Sequence, residues 1–210
     1  MRKAIPILLL ALMAVAPVAA APPTLTLKAA PTIVAYGGSS TLSGVLSTKK
    51  TGEAIDIQAQ ECGQNAFKNI ATATTTTGGA FSYAAKPTLN TNYRAKQKGA
   101  TSSTVAVKVM PVVSVKKLAL GKFRVSVTAA QSFAGKYVVF QRLRNSKWVS
   151  LKKVTLVTAK TTTAPTQVTS AAFKIKLPPE IVAPFDAVAS PEGARTAKDS
   201  MELFTKVAYP

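Results

Sequence analysis

Apolar residues recur at every second position along this chain, in short runs broken by turn residues, and the same order of runs occurs twice. Leu25 and Leu27 open the series, followed by Leu42, Gly44 and Leu46, then Ile55, Ile57 and Ala59, Phe81 and Tyr83, Tyr93 and Ala95, and Val105, Val107 and Val109. A strand sends successive side chains to opposite faces, so a period of two predicts strands with one buried face. Helical spacing is nowhere sustained. Turn-forming clusters separate the runs: YGGSS at 36–40, KKTGE at 49–53, ECGQN at 61–65, TTGGA at 76–80 and KPTLNTN at 86–92.

The second half repeats the scheme without repeating the letters. Val113 and Val115 open it, then Phe123, Val125 and Val127, Val138 and Phe140, Trp148 and Leu151, Phe173, Ile175 and Leu177, Phe185 and Ala187, and Leu203, Thr205 and Val207. Aligned on these runs, TGEAIDIQAQ matches AGKYVVFQRL, FKNIATA matches WVSLKKV, GAFSYAAKP matches AAFKIKLPP, and TNYRAKQ matches APFDAVA. Gly52 then faces Gly135, Phe67 faces Trp148, Phe81 faces Phe173 and Tyr93 faces Phe185. Six or seven short strands per half, with close turns and no helical crossover, predict an all-β chain of two tandem antiparallel β-sandwiches, residues 22–110 and a more divergent 111–210. The boundary falls at VKVMPVVSV, where Pro111 cannot donate to a sheet ladder.

The blocks STLSGVLSTKKTGEAIDIQAQ, an aromatic followed by IATATT, GGAFSYAAKP and TNYRAK resemble the Ig-like repeat domains found in tandem in bacterial secreted and cell-surface proteins. The resemblance covers the first half well and the second more loosely. It implies a spacer, stalk or adhesion module and no chemistry. Antibody-type domains carry paired cysteines and a tyrosine two residues before the second. Here Tyr93 stands two residues before Ala95, so the tyrosine is kept while alanine takes the cysteine's place.

The glycines in TATTTTGGAFSYAAKP, residues 72–87, invite comparison with a phosphate loop. That loop needs a lysine directly after its last glycine and then a helix, whose amides and lysine together hold the phosphates. Gly79 is followed by an alternating strand, and no lysine comes until Lys86. Gly78 and Gly79 therefore read as a hairpin turn.

The N-terminus runs Arg2, Lys3, an apolar stretch from Ala4 to Ala16, then small residues at Val18 and Ala20. This order is that of a secretory signal peptide, residues 1–20, cleaved after Ala20. An apolar core of about a dozen residues falls short of the ~20 that span a bilayer, so the processed chain is read as secreted or cell-envelope associated and not transmembrane. Export permits disulfides, but Cys62 is the one cysteine. It sits beside Gly63 at a turn, and as a lone exported thiol it could pair between chains in a disulfide-linked dimer.

Histidine is absent, which removes the usual general base, the commonest metal ligand and every Ser-His or Cys-His nucleophile arrangement. A single cysteine builds no zinc site. Carboxylates at Glu53, Asp56, Glu61, Glu180, Asp186 and Glu192 read as solvated surface acids, with Asp56 pointing outward between Ile55 and Ile57. The chain is read as non-enzymatic, with no cofactor and no metal.

Charge is the remaining signal. The net charge is +19, and loss of Arg2 and Lys3 leaves +17. Nothing acidic lies between Cys62 and Pro179. Within that span, QRLRNSKWVSLKK at 141–153 carries Arg142, Arg144, Lys147, Lys152 and Lys153 around Trp148. Cations interleaved with an aromatic can hold a polyanion by charge while the ring stacks. Trp148, as the match to Phe67, is read as closing one end of a sandwich, and the five cations as the candidate polyanion-binding face. Partners of that charge outside a cell include teichoic-type polymers, acidic polysaccharide, anionic lipid headgroups and DNA. The alternative is a carbohydrate-binding module using Trp148 and neighbouring polar residues.

Overall fold

The computed structural model describes residues 22–144, 147–176 and 205–207; the side chains of 142–144, 147, 148, 158 and 205–207 are not part of that description. Residues 1–20, read above as a signal peptide, and Leu177, Phe185 and Leu203 lie outside the described residues. Regular structure among the described residues is β-strand, with one 3-10 turn at Thr77–Gly79 and no α-helix.

The first half contributes β1 (Lys28–Ala30), β2 (Ile33–Ala35), β3 (Ser40–Val45), β4 (Ala54–Glu61), β5 (Lys68–Thr74), β6 (Ala80–Ala85), β7 (Thr91–Gln97), β8 (Ala100–Thr101) and β9 (Val105–Met110). They form a three-stranded sheet, β1-β3-β6, and a larger sheet, β2-β9-β7-β4-β5, with β8 on β7. All pairs are antiparallel except β2 on β9. The alternation read from the sequence is the inward face of these sheets. Leu42, Leu46, Ile55, Ile57, Ala95 and Val107 have no exposed surface, and Leu25, Leu27, Phe81 and Tyr93 are buried with them. Full burial of each large aliphatic or aromatic side chain stabilises by about 1.5–3 kcal/mol, so this face holds the fold without a covalent bridge.

The second half contributes β10 (Val112–Ala119), β11 (Lys122–Ala129), β12 (Tyr137–Arg144), β13 (Lys147–Thr155), β14 (Thr158–Thr161), β15 (Gln167–Lys174) and β16 (Thr205–Val207). Its sheets are β10-β11-β15-β14 and β13-β12-β16. They enclose a separate buried cluster centred on three rings. Phe123 stacks on Phe173 at 5.7 Å, and Phe140 meets Phe173 edge-on at 5.1 Å, the geometries that aromatic quadrupoles favour. Phe123 occupies the place of Gly44. There the added Cβ would come within 2.7 Å of the Phe81 ring, so one half packs a ring where the other packs a backbone.

The two halves also share a turn device. Gly52 and Gly135, matched in sequence, both have left-handed φ, +85° and +79°. Gly52 N–H donates to the Thr75 carbonyl and Thr75 N–H to the Glu53 carbonyl; Gly135 N–H donates to the Leu156 carbonyl and Leu156 N–H to the Lys136 carbonyl. Thr75 and Leu156 are both buried. Pro111 lies between β9 and β10, and the Tyr36 and Thr166 hydroxyls are hydrogen-bonded across the halves at 2.9 Å.

Two local expectations are corrected, at the Gly78–Gly79 turn and at Leu151. Gly78 and Gly79 do form a turn, but not a hairpin: β5 pairs with β4 and β6 with β3, so the chain crosses there between sheets. Consecutive left-handed φ values of +79° and +75° achieve the crossing, and Leu46 N–H donates to the Gly79 carbonyl. Leu151 does not alternate inward, because a bulge leaves it unpaired between Phe140–Lys152 and Gln141–Ser150; it is exposed. The strand beside β12 is Thr205–Val207, whereas 183–189, the segment matched to 91–97, lies outside the described residues. Phe67, the residue matched to Trp148, is half-buried, with the Arg94 guanidinium 4.1 Å from its ring centre.

Candidate functional site

The outer face of β10-β11-β15-β14 is built by the residues that alternate with its core. Phe123, Val125 and Val127 point inward, so Lys122, Arg124, Ser126 and Thr128 point outward. On β15, Phe173 and Ala171 point inward, leaving Lys174, Ala172 and Ser170 outward. Register then sets the cations side by side. Lys116 on β10 is directly opposite Arg124 on β11, and Lys122 is directly opposite Lys174 on β15. All four are exposed. Directly opposite residues have Cβ atoms about 4.5–5.5 Å apart, and like charges so placed destabilise a sheet.

The next row inward along the same face is a hydroxyl row, Ser114, Ser126 and Ser170, across three strands. The face is therefore polar, with four of its cations gathered at one end and Lys160, opposite Val168 on β15, standing alone toward the other. The described acids are Glu53, Asp56 and Glu61, all in the first half, so no described carboxylate of the second half opposes these cations. In the first half the positions equivalent to Lys122 and Lys174 are Ser43 and Ser82, paired in the same way. A neutral pair satisfies the fold there, so the lysine pair is a property of the second half and not of the architecture.

The residues singled out in the sequence divide around this cluster. Lys152 reaches across from the other sheet and donates from Nζ to the Lys174 carbonyl at 2.8 Å, joining the cationic end. Lys153 points the opposite way, with its ammonium 3.8 Å over the Tyr137 ring. One continuous face holding both is thus corrected, since adjacent strand residues project to opposite sides. The backbone of Arg142 pairs with Val149, Leu143 with Trp148 and Arg144 with Lys147; the side chains of Arg142, Arg144, Lys147 and Trp148 lie outside the described residues. Chain direction still locates their hairpin. β11 leaves the cationic end at Lys122 and β12 returns toward it, so the paired backbones of Arg144 and Lys147 lie at the same end as the β10–β11 turn.

Lys116, Lys122, Arg124 and Lys174 were not singled out from sequence because they are scattered over 59 positions. The available signal was the outward parity of each strand: a cation directly before or after a buried phenylalanine, as at Lys122–Phe123 and Phe173–Lys174.

Other chemistry-bearing groups serve structure. Asp56 points outward, as expected, and accepts from the Thr72 hydroxyl at 3.1 Å, while Glu53 accepts from the Gln97 amide at 3.2 Å. Tyr93 is buried on β7, and that burial pushes its phenol up from the ordinary value despite a hydrogen bond with Thr91. Cys62 is exposed at its turn, beside a shallow cleft between the halves that Tyr36, Leu89, Pro111 and Phe133 also line. Among the described residues no three of Cys, Asp and Glu gather as a metal site, and no helix is long and apolar enough to cross a membrane.

No protein-family model matches the chain, and no curated protein matches it. Among solved structures, the crystal structure of bovine butyrophilin aligns with 74% of this chain and 88% of its own at 12% identity, with a TM-score of 0.31. At that score the likeness carries no argument, and the all-β character of the chain rests on its own sheets.

Proposed function

We propose that the protein is a secreted, non-catalytic module of the cell envelope, two tandem Ig-like sandwiches whose second half binds anionic polymers at its cationic end. The observation that carries this reading is the pair of directly opposed like charges, Lys122–Lys174 and Lys116–Arg124, on one exposed face with no described carboxylate nearby. A sheet held against its own charge repulsion is relieved by a multivalent anion, which displaces many counterions at once. Tandem sandwiches separated at Pro111 suit a spacer that holds this end away from its point of attachment. Export rests on the order of residues 1–20.

Binding to dextran sulfate and to a purified envelope fraction, measured across a salt series, tests the reading. Affinity should fall steeply with salt, and Lys122→Gln with Lys174→Gln should lower the slope of log affinity against log salt by about 2, roughly one for each cation withdrawn from the polyanion. An unchanged slope would overturn it. Neutral-glycan binding that survives high salt would favour the carbohydrate-binding alternative through Trp148.

A further inference from the structure

The β10–β11 turn projects from the cationic end, and its sequence, KKLALGK, is not that of an ordinary polar hairpin. Leu120 at its tip is 75% exposed, and Leu118, pushed out by a bulge between Lys117 and Ala119, is 38% exposed. Gly121 has φ +64°, and a Cβ there would stand 2.7 Å from the Ile175 carbonyl oxygen; its own carbonyl accepts from Ile175 N–H at 2.8 Å. The exit of β15 thus pins the turn and holds Leu120 in water. A single exposed leucine is ordinary on a protein surface. A pinned apolar tip beside Lys116, Lys122, Arg124 and Lys174 is a different arrangement: an apolar point behind which cations are set on the adjoining sheet face.

We propose that this tip is a membrane-docking point for an anionic lipid bilayer, with Leu118 and Leu120 entering the headgroup–acyl boundary while the four cations meet the lipid phosphates. The inference rests on the reading of this end as an anion-binding surface and names its partner. Charge alone would suit a soluble polyanion equally, but a hydrated polymer offers two leucines no apolar phase. A bilayer offers both, and long cationic stems place their charge at headgroup level while their methylenes lie against apolar surface. A protein partner fits less well, since stable interfaces bury about 1,200–2,000 Å² and a two-leucine tip supplies a small part of that.

The test places an environment-sensitive fluorophore on the full-length Cys62→Ser, Leu120→Cys chain and adds equimolar phosphatidylglycerol–phosphatidylcholine vesicles, pure phosphatidylcholine vesicles or dextran sulfate. A blue shift with the anionic vesicles alone supports docking. In unlabelled chains, Leu118→Ser with Leu120→Ser should weaken flotation with anionic vesicles by about tenfold or more, the loss for withholding a leucine from apolar surroundings. Lys122→Gln and Lys174→Gln should each weaken it about fivefold. The N-terminal apolar run is common to every variant, so it does not produce differences between them. Vesicle binding with no blue shift overturns the tip while leaving the polyanion reading intact. An equal shift on phosphatidylcholine removes the role of charge and overturns the proposal as stated. Failure to bind either vesicles or dextran sulfate overturns both.

Discussion

Relieving both like-charge pairs at the cationic end should make the protein more stable and a poorer binder at once. Lys116→Gln with Lys174→Gln removes one partner from each of the pairs Lys116–Arg124 and Lys122–Lys174. Cross-strand Cβ atoms lie about 5 Å apart, and long exposed stems let the charged ends splay to about 7 Å. At that separation two unit charges in water repel by about 0.6 kcal/mol, within the roughly 0.2–1 kcal/mol range for opposed residues in a sheet. Two independent pairs therefore give a gain of about 1 kcal/mol at low salt, a rise of about 4–8 °C in the Tm of a second half of about 100 residues that unfolds by itself. Urea denaturation followed by far-UV circular dichroism measures it. At about 0.01 M salt the Debye length is about 30 Å and the gain should be full; at about 1 M it is about 3 Å and the gain should largely vanish. Dextran sulfate affinity should fall in the same variant. A loss of stability, or an equal gain at both salts, would refute the claim that these side chains repel one another. A stability gain with unchanged binding would leave the repulsion in place and remove its functional meaning.

Gly79→Ala should destabilise more than Gly52→Ala in the same assay. Both have left-handed φ, costing about 1 kcal/mol or more for a residue with a Cβ, but the new methyl at 79 also meets the Leu46 carbonyl, whereas the space at 52 is open. Tyr93 gives the protein an alkaline limit. Its folded phenol is raised above the ordinary 10.0, so above about pH 10 the unfolded chain loses this proton first and binds fewer protons than the folded chain, and stability falls as pH rises. Tyr93→Phe should flatten that fall, read from urea midpoints between pH 9 and 11; an unaltered slope would contradict it. Cys62 should react fully with a thiol reagent in the native state and give a disulfide-linked dimer on oxidation, read by mass; protection until denaturant is added would contradict its exposed position. A chain ending at Met110 should unfold cooperatively by itself, because its buried cluster draws only on residues 25–109; a broad, non-cooperative melt would tie the two halves into one unit.

Most strands of this protein were legible because the signal for a half-buried strand is local. Leu42, Ile55, Ile57, Val107, Phe123 and Val127 each sit in a run of period two, and each is buried. The matched glycines 52 and 135 were legible for the same reason, since a left-handed turn residue leaves a mark at its own position. Strand β14 left none: its described residues are exposed, so TAKT carries no alternation. Leu151 misled because a bulge shifts the parity of every residue before it relative to those after it, and local pattern cannot register an unpaired position. The turn at Gly78–Gly79 was recognised as a turn, but whether it closes a hairpin or crosses between sheets depends on which distant strand β6 joins. The same limit governed the candidate site. The 141–153 stretch drew notice because its cations are contiguous, whereas Lys116, Lys122, Arg124 and Lys174 became neighbours only through the register of β10, β11 and β15. Side-chain parity is a property of each strand and is written along the chain; strand pairing is a choice among distant segments made by the whole buried surface at once, and it is that choice which set like charges face to face.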